Sequence, residues 1–208
     1  MRPYVLLLAL LGQPAHAQLY PYADQFVEGE VVLRDSTVVK GQVQWMEHQN
    51  QKLRFRKSAE AEPEKYAPED LLGFSAEGYT FDVLQKVSVY AENAALLGKT
   101  SRLKHLFAQR LHAGTFTIHA VFIQAYDGVS GAIQSYPNLL FHRTAEPQAT
   151  PVPYPFRVRM KDGRYEQAKE PLYALFKDQP AVLELLRAHR QEDSIGPLVE
   201  AVQAIDAR

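Results

Sequence analysis

The apolar positions of this chain change period along its length. From Phe26 onward they follow strands: in FVEGEVVLRDSTVVKGQVQW, β-branched residues flank Asp35-Ser36, a turn signal, so a hairpin is predicted, with Gly41 read as a bulge or bend. LRFRK alternates strictly, placing Leu53 and Phe55 on one face and Arg54 and Arg56 on the other. SAEAEPEKYAPED has no hydrophobic period and reads as a surface connection. Two strand edges follow, joined by a tight turn at Ala76-Glu77-Gly78.

Residues 92–113 fit two templates. Leu103, Leu106, Phe107 and Leu111 stand at helical spacing with Gly114 as a C′ residue, yet the same stretch also reads as a strand entering a Gly114 turn. TFTIHAVFI is a strand by its β-branched and aromatic content, and PNLLFHR a shorter one. The proline-rich AEPQATPVPYP is expected to be extended and exposed. FRVRMKDGRYEQ alternates again, with Phe156, Val158 and Met160 inward and Asp162-Gly163 marking a hairpin turn. The period then becomes helical: Leu172, Leu175 and Phe176, next Val182, Leu183, Leu185 and Leu186 behind Pro180 at N1, and finally Leu198, Val199, Val202 and Ile205.

These elements predict an α+β protein. An antiparallel β-rich body at residues 18–167, a sandwich or a partly open barrel, is followed by a C-terminal helical segment at 168–208 packed on it. With 208 residues and 46% hydrophobic content, the chain can bury a core without staples, consistent with its lack of cysteine. That lack also excludes disulfides, thiolate metal sites and a cysteine nucleophile. Lys plus Arg (23) balance Asp plus Glu (24), so no global field favours nucleic acid. MRPYVLLLALLGQPAHAQ reads as an export signal over residues 1–17: Arg2 supplies the positive start, residues 5–11 the apolar run and Ala15-His16-Ala17 the cleavage pattern. That run is far below the roughly 20 residues needed to span a bilayer, so the chain is expected to be exported and not membrane-spanning.

Candidate chemistry is sparse. Glu69 and Asp70 in YAPEDLLGFSAEGYTF could serve a glycan or peptide hydrolase, but such enzymes hold two carboxyls across the substrate, and adjacent strand residues point to opposite faces. His105, His112 and His119 recur every seven residues, a spacing too long for two ligands to grip one ion, and they read as satisfied surface or edge histidines. Ser130 lacks the nucleophile elbow, and neither a P-loop nor a dinucleotide fingerprint is present. No catalytic, metal or cofactor residue is therefore assigned. Arg54 and Arg56 on one strand and Arg157 and Arg159 on another would form a cationic stripe for an anionic ligand if those strands were neighbours. A barrel carrying an apolar ligand would instead line its cavity with Phe55, Phe74, Phe81 and Phe122.

The order of EGEVVLRDSTVVKGQV, YAPEDLLGF, LFAQRLHAGTFTIHAVF, MKDGRYEQ and LFKDQPAVLELLRAHR resembles a family of uncharacterised exported proteins common in Bacteroidota. The resemblance implies a periplasmic or secreted protein with a β-rich body and a helical end, and no reaction. It implies that residues 66–81 are a folded corner: Leu71, Leu72 and Phe74 in the core, Tyr66 and Tyr79 beside the sheet, and Glu69 or Asp70 capping a turn. The expected function is a non-catalytic binding or interaction module of the cell envelope. Its expected partner is an envelope protein or an anionic glycan or lipid.

Overall fold

A computed structural model describes residues 25–45, 52–90, 100–126, 133–146, 149–155, 160–190 and 193–207, without the side chains of 123–126 and 133–136. The expected export signal, Phe156, Val158, Arg157, Arg159 and Ser130 lie outside them.

Ten strands form a single antiparallel sheet: β1 (Val27–Leu33), β2 (Val38–Gln44), β3 (Leu53–Arg56), β4 (Glu64–Tyr66), β5 (Leu71–Ala76), β6 (Tyr79–Val89), β7 (Ser101–Ala113), β8 (Phe116–Tyr126), β9 (Ile133–Arg143) and β10 (Val152–Pro153). Their spatial order is β10-β9-β8-β7-β6-β5-β1-β2-β3-β4. Among the described residues no pairing joins β10 to β4, so the sheet has two edges. Among the described residues three helices follow: α1 (Asp162–Leu175), α2 (Pro180–Ala188) and α3 (Gly196–Gln203). This is the predicted α+β order.

The turns form for local reasons. At the β1–β2 turn the Asp35 carboxylate accepts the Thr37 N–H at 2.9 Å, and Ser36 takes a positive φ of 68°. Between β5 and β6, Glu77 and Gly78 both have positive φ, 49° and 85°, as a two-residue hairpin loop matching the sheet's twist requires. Gly41 is not the expected bulge, because the β1–β2 register runs through it without a shift and pairs it with Gly29. A Cβ at Gly41 would collide with the Arg56 carbonyl and the Phe55 ring, and one at Gly29 with the Ser75 carbonyl, so both glycines permit close strand approach.

The apolar residues gather in separate clusters. On the β1–β7 side, Phe74 and Phe81 stack with centroids 4.3 Å apart, Trp45 meets Phe81 edge-on at 4.6 Å, and Phe107 meets Phe74 at 5.1 Å. On the other side, Phe116, Ile118, Ala120 and Phe141 of β8 and β9 are buried against Leu172, Phe176, Val182, Leu186 and Val202 of the helical segment. A smaller cluster joins Val87, Leu106, Val121 and Leu140.

Several expectations are corrected. The ambiguous stretch resolves as a strand over 101–113, since its buried positions pair between β6 and β8. The expected hairpin at Asp162-Gly163 is the first turn of α1, so the helical part begins before residue 168. Asp162 suits a helix N-terminus, and Tyr165, Lys169, Leu172 and Phe176 recur at helical spacing on the buried side, which overrides a local turn signal. Leu72 points outward at 40% exposure while Leu71 and Phe74 are buried, as strand alternation demands. Tyr154, placed in an exposed proline-rich loop, is fully buried beside β10. β9 is also longer than PNLLFHR suggested, because Ile133 onward pairs with β8.

The aromatic cluster makes the β1–β7 half sensitive to truncation. Phe74→Ala is expected to cost about 3–5 kcal/mol, measured by chemical denaturation, because the ring contacts Trp45, Phe81 and Phe107 at once.

Candidate functional site

The basic stripe predicted on the sheet is engaged internally where it is described. Arg54 donates to the Gln44 side-chain oxygen at 2.8 Å, Arg56 to that of Gln42 at 2.9 Å and to the Ala59 carbonyl at 3.0 Å, and both guanidiniums lie over the Phe26 ring. β3 also sits next to one edge of the strand order, and Arg157 and Arg159 lie outside the described residues. Glu69 and Asp70 belong to a single 3-10 turn (Pro68–Asp70) lying against β7. The Asp70 carboxylate accepts the Ala67 N–H at 2.8 Å, and the Glu69 carbonyl accepts Arg34 Nε at 2.7 Å. Asp70 is thus a turn cap tied to the β1–β2 hairpin, and the corner reading of YAPEDLLGFSAEGYTF holds apart from Leu72. Phe55, Phe74 and Phe81 pack in the aromatic cluster and Phe122 in the helix-side cluster, so the four do not line one cavity.

The recurring histidines separate. His112 Nε2 lies 2.7 Å from Asp206, whose other oxygen accepts the N–H and hydroxyl of Thr115 at 2.8 and 2.7 Å. This carboxylate, just beyond α3, clasps the β7–β8 turn and leaves no room for a side chain at Gly114. His119, expected at the surface or an edge, is only 2% exposed. Its Nε2 donates to Asp82 at 2.8 Å, and Asp82 also accepts both Arg110 N–H groups. Burial pushes the Asp82 carboxyl up, but the hydrogen bonds from His119 and Arg110 outweigh it and bring it down to about 2. The His142 ring stacks on His119 at 5.5 Å, and His142 Nδ1 donates to the Arg143 carbonyl at 3.2 Å. Asp82, Arg110, His119 and His142 thereby form a polar strip across β6 to β9. Among the described residues no group of three or more His, Asp or Glu side chains has metal-binding geometry.

A second polar centre arises where α1 and α2 meet β10, and sequence reasoning missed it. His189, just past α2, donates from Nε2 to the Ser194 carbonyl at 3.0 Å. Its Nδ1 is therefore an acceptor, met by the Tyr154 hydroxyl at 2.8 Å, while the Tyr165 hydroxyl lies 3.1 Å from that of Tyr154. Burial, then the neighbouring Tyr165 hydroxyl, raises Tyr154 above the ordinary phenol range, and burial also raises Tyr165, so both stay protonated hydrogen-bonding groups. Beside them Lys169 is fully buried, its ammonium donating to the Leu186 and His189 carbonyls at 2.8 and 3.1 Å and pairing with Glu166 at 2.8 Å. Burial works against this charge, but Glu166 and Tyr173 more than compensate and hold Lys169 above the usual lysine range. Capping the last carbonyls of α2 is what a cation does well at a helix C-terminus.

Above this network opens a cleft of about 550 Å³ lined by Asp162, Tyr165, Glu166, Arg187, Ala188, His189 and Arg190. The Tyr165 phenol and the His189 imidazole form one part of it, with exposed acids of α1 and guanidiniums at the end of α2 around them. The arrangement suits reversible binding of a polar molecule. The one sequence signal pointing here is the helical spacing of Tyr165, Lys169 and Leu172.

Two outcomes test these assignments. Burial first, and then the neighbouring His119, lower the His142 pKa, so below about pH 6.5 the unfolded chain takes up a proton that the folded chain resists. The depressed Asp82 contributes stability above about pH 4 that is lost as the pH falls toward 2. Denaturant midpoints should therefore fall from pH 7 to 5 and again below 4, with His142→Phe flattening the upper limb alone. Separately, Gly114→Ala should cost about 1–2 kcal/mol by expelling the Asp206 carboxylate. In an Asp206→Ala background most of that cost should vanish, as a double-mutant cycle would read.

Comparisons of the chain with protein-family models, with curated proteins and with solved structures found no match.

Proposed function

We propose that this protein is an exported, non-catalytic binding module of the bacterial cell envelope, and that the cleft between α1 and the end of α2 is where it takes its ligand. The observation that carries the reading is the contrast between that cleft and the other polar groups. Asp70, Asp82, Asp206, Lys169, Arg54 and Arg56 are all engaged in bonds that hold elements together. The cleft combines open volume with unburied charges of both signs. Residues 1–17 with their signal pattern, and the resemblance to exported proteins, support the compartment. The Glu69 and Asp70 pair gives the hydrolase alternative little support, since the Asp70 carboxylate is committed to a backbone N–H.

The test is native mass spectrometry of mature protein recovered from an envelope fraction, read beside the same sample denatured. A mass excess lost on denaturation and much reduced in Arg187→Glu is the expected result. Asp70→Asn should keep the retained mass while costing about 1 kcal/mol of stability for the lost cap. Bare protein from every fraction, or turnover of an envelope glycan or peptide that Asp70→Asn abolishes, would overturn the reading.

A further inference from the structure

Resting on that reading of the cleft, we infer that its ligand is a small zwitterion, with an ammonium group and a carboxylate held apart on one molecule. The two walls differ in sign. Asp162 and Glu166 lie four residues apart on α1, one turn of one helical face, and Arg187 and Arg190 lie three apart at the end of α2. Among the described residues Asp162, Arg187 and Arg190 take part in no salt bridge, although acids and guanidiniums line the same cleft. Opposite charges across a narrow groove would pair and close it. Here they stand apart around about 550 Å³, room for a few residues of peptide or a molecule of that size.

The surroundings prepare both ends of such a ligand. The C-terminus of a helix carries partial negative charge, which would repel a carboxylate approaching Arg187 and Arg190. Lys169 removes much of that obstacle, because its buried ammonium already occupies the Leu186 and His189 carbonyls. The Asp193 carboxylate accepts the Arg190 N–H at 2.7 Å and fixes the backbone from which that guanidinium extends. On the acidic wall Glu166 is oriented by Lys169 and by the Tyr173 hydroxyl at 3.2 Å, leaving Asp162 as the acid that meets the ligand's ammonium. Tyr165 and His189, locked into the network with Tyr154, supply a hydrogen-bonded polar surface.

Calorimetric titration of the full mature protein with trialanine, N-acetyl-trialanine and trialaninamide tests this. Trialanine should saturate the site, and each capped form should bind at least tenfold more weakly. Arg190→Ala should bind trialanine and trialaninamide alike, and Asp162→Asn should bind trialanine and its N-acetyl form alike, with thermal melts close to the parent's because both side chains are exposed. Capped forms binding as well as trialanine, or trialanine failing to saturate at millimolar concentration, would overturn the inference. Should trialanine fail while native mass spectrometry still finds a retained ligand that Arg187→Glu releases, the zwitterion is wrong and the binding cleft stands. Should neither appear, both fail.

Discussion

A sheet whose described strands run from β10 to β4 without joining must find cover for its faces and protection for its edges, and the rest of the described structure follows from that requirement. All ten strands hydrogen-bond into one sheet, so no second sheet exists among the described residues to pack against. The β1–β7 half meets the demand with aromatic rings that pack on one another. The β8–β10 half cannot, because its inward residues Phe116, Ile118 and Phe141 need an external partner, which the three helices provide. The edges are kept short: β4 spans three residues, and β10 only two, one of them a proline that has no N–H to offer another strand.

Helices laid on a sheet by apolar contact alone could slide, and polar groups at the contacts oppose this because each bonds across an element boundary. Asp206 ties the chain end to the β7–β8 turn, and Arg143 of β9 donates to the Leu175 carbonyl at the end of α1 and to Asp178 beyond it. Lys169 of α1 holds the end of α2, and Tyr154 beside β10 reaches Tyr165 of α1 and His189 after α2. Such bonds add little net energy apiece when made, yet breaking those of the buried Lys169 or Tyr154 strands a buried partner, so they fix position more than they add stability. The cleft owes its shape to them: its two walls are the helices whose relative placement Lys169 and Tyr154 determine.

The order and class of elements were legible in the sequence wherever an apolar period ran uninterrupted, as in β3, β8, α2 and α3. Turns were legible where their chemistry is local, at Asp35-Ser36 and Glu77-Gly78. The failures share a cause. Residues 101–113 satisfied both periods, and only pairing with β6 and β8 decides between them. Asp162-Gly163 carries a strong turn signal, and the burial of Tyr165, Lys169 and Leu172 defeats it. The candidate site was less legible than the fold. A tyrosine in a proline-rich stretch, a lysine in a polar helix and a histidine after a helix are ordinary surface residues by composition, and only their convergence makes Tyr154, Lys169 and His189 a centre.

Lys169 gives the clearest physical argument that the region around the cleft serves more than packing. A buried ammonium is costly, and an apolar side chain of similar volume would often serve stability as well. Its position has a consequence that an apolar residue could not reproduce: it neutralises the carbonyl end of α2 while orienting Glu166 on the opposite wall. One charge thus acts on both walls of the cleft, offsetting the carbonyl end of α2 and holding Glu166 in place while balancing much of its charge, which leaves Asp162 as the unpaired acid of the α1 side. Stability alone does not require that pairing of effects, and the proposed recognition of a molecule with two charges would use both.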